Sequence, residues 1–308
     1  VRFHLILRKT VADLARPLVL LGYFLVFGGV LFFLAIGFAS NDLENVASAP
    51  LAQQEAEFYR TFLGISVLWA GSIPLMLLGA IASATSLAKE AEQGTLQILL
   101  SKPVRRWEVL LGTFGAIVGF VLFVGIASLL LTGLAIFEFS GTSAAALEEG
   151  LFGALPGLLA FVLLIAVFVA ALGLTLAVRT GNRLQTGLGS LVVPALYFAF
   201  FPVRALAGAT YEDYYLYLLD VNYHFGNAFV VLIETVNGGF DAETQAFITT
   251  FTGVYDAKQA EAEPENLPES LDLAGHVEPV VSLLAIVLIS VGLLAYATYR
   301  FQRMDVSA

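Results

Sequence analysis

Six apolar stretches, each of about 20 residues or more, constrain this chain more tightly than any other feature. They run roughly over 17–39, 62–87, 109–137, 151–178, 184–206 and 279–299. A helix rising about 1.5 Å per residue needs about 20 apolar residues to cross a hydrocarbon core of about 30 Å. As helices these stretches satisfy their own backbone hydrogen bonds, which lipid demands, and the alternation of barrel strands is absent. A globule built from 308 residues has no interior large enough to hide six such helices. Composition points the same way: 58% of residues are hydrophobic and 13% charged, against about 25% charged in soluble domains. The predicted fold class is an all-α integral membrane protein with six transmembrane helices. The first stretch, Pro17–Ala39, is longer than the apolar region of a signal peptide and is followed by no Ala-x-Ala pattern, so it is expected to remain as a helix. Cysteine is absent, which excludes disulfides and thiolate metal sites.

Orientation follows from the basic residues, which are retained on the cytoplasmic side of a span. The N-terminus carries Arg2, Arg8, Lys9 and Arg16; the loop after the second span Lys89, Lys102, Arg105 and Arg106; the loop after the fourth Arg179 and Arg183; the C-terminus Arg300 and Arg303. Arg60, Arg204 and Lys258 alone fall on the other side, with 20 of the 25 carboxylates. Both termini are therefore expected in the cytoplasm. The net charge of −10 belongs to the opposite face, and no nucleic-acid partner is expected.

Residues 1–16 read as an amphipathic interfacial helix. Arg2, Lys9, Asp13 and Arg16 share one face and Phe3, Leu7, Val11 and Leu14 the other. The segment 207–278 is the longest connection and is expected outside the membrane as a small cap. Tyr211–Leu219 has the tyrosine content of a headgroup-level belt, Gly226–Val236 and Glu243–Tyr255 read as short helices, and the acidic, proline-broken run Lys258–Pro279 is expected to be a mobile loop. Ser66, Ser128 and Ser190 within the spans are expected to bond their own backbone.

The segment 88–108 between spans two and three is the candidate site. Lys89, Glu90 and Glu92 mark the exit from the bilayer; Gly94 breaks one helix and Thr95 offers an oxygen to cap the next. Leu96, Leu99 and Leu100 recur at helical spacing, Ser101-Lys102-Pro103 ends the helix, and Arg105, Arg106 and Trp107 form a basic re-entry into the membrane. The whole is a short leucine-striped helix at the membrane surface.

This string resembles the signature of ABC-2 type transporter permeases. The matching positions are Glu90, Glu92, Gly94, Thr95, Leu96, Leu99, Leu100, Ser101, Pro103, Val104, Arg106, Leu110 and Gly112. In such permeases the stretch forms the coupling helix that contacts a nucleotide-binding subunit. The resemblance implies an ABC ATPase partner, a second permease copy or paralogue, residence in the cytoplasmic membrane and transport by ATP hydrolysis, with export the expected direction. Two departures stand out: the long connection before span six, and Thr113 where many relatives carry lysine. The run also resembles the permease of the nitrous oxide reductase maturation system. Copper handling by this chain is disfavoured, because Cys is absent and Met76 and Met304 are its only methionines.

A motor and a catalytic centre are both missing from the sequence. The nearest glycine-rich stretch, Gly181–Gly187, lacks the Lys-Ser/Thr of a phosphate-binding loop. No cofactor is therefore expected in this chain; ATP and magnesium belong to the partner ATPase. His4, His224 and His276 lie outside the six stretches and form no metalloprotease pattern, so the chain is not expected to be an enzyme. The competing class, an ion-coupled secondary transporter, ordinarily carries ionisable residues at mid-membrane. The centres of these six stretches hold none.

Overall fold

The computed structural model describes residues 3–42, 46–100, 104–261 and 267–304. Among them all regular elements are helical, the longest non-helical described stretch is 267–278, and one isolated antiparallel bridge joins Tyr255 and Leu273. Helix α1 (Phe3–Leu14) leads into α2 (Pro17–Asp42), where proline occupies a first turn that needs no amide donor. The second crossing is composite: α3 (Leu51–Ile65), a π-helical turn at Ser66–Ala70 closed by Gly71 N–H donating to Ser66 O (2.8 Å), and α4 (Ile73–Thr85). Then follow α5 (Leu87–Glu92), α6 (Thr95–Leu100), α7 (Arg106–Ser140) and α8 (Ala144–Thr180). The fifth crossing is shared by α9 (Arg183–Ser190) and α10 (Val192–Ala207). After α11 (Ala209–Asp213), α12 (Val221–Asn237), α13 (Ala242–Thr252) and α14 (Ala257–Ala260), the chain closes with α15 (Pro279–Gln302). Among the described residues six helical runs are long and apolar enough to cross a membrane: Pro17–Phe38, Leu51–Glu92, Arg106–Ser140, Ala144–Thr180, Arg183–Ala207 and Pro279–Gln302.

Three of these clearly outrun the apolar windows, the second because it joins α3, α4 and α5, the third and fourth as single helices. At 35 and 37 residues, α7 and α8 extend about 52 and 55 Å, some 20 Å more than a hydrocarbon core requires. Charged Glu138, Glu148 and Glu149 end the apolar pattern but not the helices, because Ser143 caps α8 through Ala146 N–H (3.3 Å) and Ala146, Gly150 and Ala154 pack inward. Helix α8 is the central element, touching α3, α4, α7, α12 and α15. Where it crosses α4 the backbones come close: a Cβ on Gly173 would overlap Ser83, and one on Gly79 would overlap Val169. Such small-residue contacts replace hydrophobic driving force between helices in lipid. Leu18, Leu206 and Leu288, by contrast, are 81%, 87% and 69% exposed, as lipid-facing positions on α2, α10 and α15 are.

One end of the bundle carries α1, α5, α6 and the α15 terminus; the other carries an acidic helical cap. Phe225 and Phe229 of α12 meet Phe161 and Phe168 of α8, with ring centroids 5.1–6.5 Å apart. Phe247 of α13 fills the slot left by Gly64 and packs edge-on against Phe38 (5.2 Å). Arg204, near the end of α10, meets Asp220 through Nε (3.0 Å) and donates through Nη2 to Asn222 Oδ1 (2.6 Å) and Phe251 O (2.9 Å). Asp220 is fully buried, accepting also from Tyr211 OH (2.8 Å) and, as the α12 cap, from Tyr223 N–H (2.9 Å).

Several expectations are corrected. The described part of the supposed mobile loop is bonded to the cap: Ala274 N–H donates to Val254 O (2.8 Å), Asp256 N–H to Asp272 O (2.8 Å) and Leu271 N–H to Gln245 Oε1 (2.6 Å). Polar composition hid this order because its partners are backbone groups and one distant glutamine. Helix α1 buries Ile6, Thr10 and Leu14 within the protein, so that of the expected apolar face Phe3/Leu7/Val11/Leu14 only Leu14 is fully covered by it. It packs on α7, where Gly112 leaves room for Ile6, and so divides its apolar surface between protein and lipid. Of the span serines, Ser128 Oγ pairs with Tyr23 OH (3.0 Å), while Ser66 and Ser190 Oγ find no partner among the described residues. In the tyrosine-rich stretch, Tyr211 turns inward and Tyr217 stacks on His276 (4.8 Å), whereas Tyr214 and Tyr215 stay exposed.

Candidate coupling site

The connection between the second and third crossings folds as an elbow of two short helices, α5 and α6. Gly94 supplies the bend with φ of +70°, a left-handed conformation that glycine adopts without the clash a Cβ creates. The expected Thr95 cap takes a different form: its hydroxyl donates back to Glu90 O (3.2 Å), tying the second helix to the first. That bond satisfies a carbonyl at the end of α5, which helix termination leaves without an intrahelical donor.

Three further ties hold the elbow to the bundle. Glu90 pairs with Lys9 of α1. Glu92 Oε2 accepts from the backbone N–H of Arg183 (3.1 Å), at the start of α9, where a carboxylate also meets the positive end of the helix dipole. Leu96 turns inward and is 2% exposed, joined to the apolar core. Burying a leucine contributes about 2 kcal/mol, whereas a half-exposed ion pair such as Lys9–Glu90 contributes about 0–1 kcal/mol. The apolar anchor therefore fixes α6 in depth, and the charged pair sets its direction.

The return into the membrane is held from the far end of the sequence. Arg106 Nη1 donates to the carbonyls of Phe301 (3.4 Å), Gln302 (3.1 Å) and Met304 (2.5 Å), groups that the end of α15 leaves open. Arg105 N–H donates to Glu108 Oε2 (3.0 Å), so the first turn of α7 is closed by its own acid. The outward surface of the elbow, Glu92, Gln93, Thr95 and Gln97, is exposed and polar.

Of the residues singled out by sequence, the structure brings Glu90, Glu92, Gly94, Thr95 and Leu96 into one elbow and sets Arg105 and Arg106 at its return. Ser101 and Pro103 lie outside the described residues, as do the side chains of Leu99 and Leu100. Lys9, the Arg183 amide and the α15 carbonyls escaped the sequence reading. Their partners lie 81, 91 and about 195 positions away, and only the opposite charges of Lys9 and Glu90 gave any hint. Among the described residues no group of three or more His, Asp or Glu side chains is placed to hold a metal ion.

No curated protein matches the chain in sequence. A family model described as "ABC-2 family transporter protein" matches residues 6–306, which includes the elbow, all six crossings and the cap. With that match over nearly its whole length, the chain belongs to the ABC-2 transporter family, as a membrane permease and non-catalytic transport subunit.

Proposed function

We propose that this permease receives force from a separate ABC ATPase through residues 90–106 and uses it to move a substrate, in the export direction, across the cytoplasmic membrane. Two permease chains, identical or paralogous, would stand over two ATPases, which bind the ATP and magnesium. The observation that supports this reading best is the tying of the elbow: Lys9–Glu90, Glu92–Arg183 and Arg106–Phe301 connect it to α1, α9 and α15, while α4 and α7 continue from its two ends. A push on α5 and α6 is thereby delivered to five elements at once. In this arrangement Glu92, Gln93 and Gln97 form the polar rim that faces the ATPase, Leu99 and Leu100 enter its cleft, and Leu96 serves as the internal anchor. The concentration of Lys and Arg at this end supports a cytoplasmic orientation for it.

The test is a Glu92→Lys/Leu99→Asp double variant purified with its ATPase. The expected outcome is intact membrane insertion with at least a tenfold loss of co-purifying ATPase and of permease-dependent ATP hydrolysis. Unchanged co-purification and hydrolysis would remove the elbow from the coupling role.

A further inference from the structure

Three cavities run into one another beside the elbow. The first, about 240 Å³, opens between α1, α5 and the start of α7 and is lined by Lys9, Arg16 and Lys89. It shares Arg16, Lys89 and Thr85 with a second of about 130 Å³, which adds Arg183 and the apolar side chains of Val19, Leu78 and Phe120. The second shares Ile81, Thr85 and Arg183 with a third of about 300 Å³, an almost wholly apolar groove between α4 and α9. The track thus passes from a cationic mouth to an apolar face on which Ile81, Leu184 and Leu188 are 50%, 68% and 58% exposed.

The charges along it are unbalanced. Lys9 is taken by Glu90. Arg16, Lys89 and Arg183 have no side-chain ion pair or hydrogen bond among the described residues. The facing carboxylates are Asp13 and Glu90, so the lining of the first two cavities keeps an excess of two positive charges. An occupant that fits must be anionic at one end and apolar at the other, and the basic end of a membrane helix bundle supplies such molecules as headgroups with acyl chains.

We propose that this track binds one acidic phospholipid, with its phosphate among Arg16, Lys89 and Arg183 and one acyl chain along Ile81, Leu184 and Leu188. The bound lipid joins α1, α4, α5 and α9, four elements that meet at the elbow. Binding does not depend on which end faces the cytoplasm, nor on ATPase docking.

The test is native mass spectrometry of the full-length permease titrated with phosphatidylglycerol or phosphatidylcholine. Wild type should bind one phosphatidylglycerol at least about tenfold more tightly than phosphatidylcholine. Arg16→Gln/Lys89→Gln should reduce that affinity by about tenfold to thirtyfold. Arg16→Lys/Lys89→Arg should restore it, and Arg179→Gln, at the same end but outside the track, should leave it unchanged. An equal loss in Arg179→Gln, or no preference between the two lipids in wild type, overturns the proposal. Displacement of the lipid by glycerol 3-phosphate at equal concentration would assign the cations to a free phosphate and likewise overturn it. Retained lipid with loss of the ATPase in the double Gln variant would assign them to the partner instead.

Discussion

At the residue scale, the elbow shows how one side chain's direction decides its role. Leu96 shares a stripe with Leu99 and Leu100 in the sequence, yet it is buried in the chain's own core. Leu96→Ala should therefore cost about 2–3 kcal/mol of local stability through lost burial and the cavity left behind. Hydrogen exchange of residues 87–100 would read this as faster exchange, while that of the cap stays unchanged. In the cap, His224 lies against Ser282 (Nδ1 to Oγ, 2.9 Å). Burial pushes its pKa below the ordinary 6.5, against smaller upward pulls from the Leu218 carbonyl and Asp220. A histidine held neutral by folding takes up its proton more readily when unfolded. Its contribution to cap stability is complete above pH 6.5 and is lost as pH falls through the lower folded value. Between about pH 7.5 and 5 the thermal midpoint should fall, and His224→Gln should reduce that fall. An identical slope in the variant would show that other groups govern the acid response.

At the element scale, the close crossing of α4 and α8 depends on missing side chains. Gly173 admits Ser83, and the cap clamps the same α8 through Phe161 and Phe168. Gly173→Val forces overlap into a packed interface, for which about 1–3 kcal/mol is the ordinary cost. The expected result is a lower melting temperature with the elbow sequence untouched; a variant as stable as wild type would mean that α4 shifts freely over α8. The π-helical turn in the second crossing lies between the cap-facing α3 and the elbow-facing α4. It divides that crossing into two rods that both pack on α8, with α13 added for the first and α9 for the second.

At the scale of the whole molecule, charge is divided between the two ends of the bundle, and the absence of cysteine gives a direct way to assign their sides. Single cysteines at Gln97 and at Lys258 should label with an impermeant thiol reagent from the cytoplasmic and outer sides respectively. The reverse pattern would invert the proposed orientation. The six long apolar helices were legible because lipid imposes a length and an apolarity that no other environment asks for, and the bend at Gly94 was legible because a helix breaker acts locally. The cap's order was not, since polar segments such as 267–278 gain structure from bonds to Gln245, Val254 and Tyr223 that composition does not encode. Sequence alone therefore determined the solvent, the number of helices long and apolar enough to cross a membrane and the position of the elbow, all set by local chemistry and helix periodicity. Only the tertiary structure decided that Leu96 faces inward, that Lys9, Arg183 and the α15 carbonyls hold the elbow, and that Arg16, Lys89 and Arg183 line one track. Those facts depend on contacts between residues tens to hundreds of positions apart, which no local pattern records.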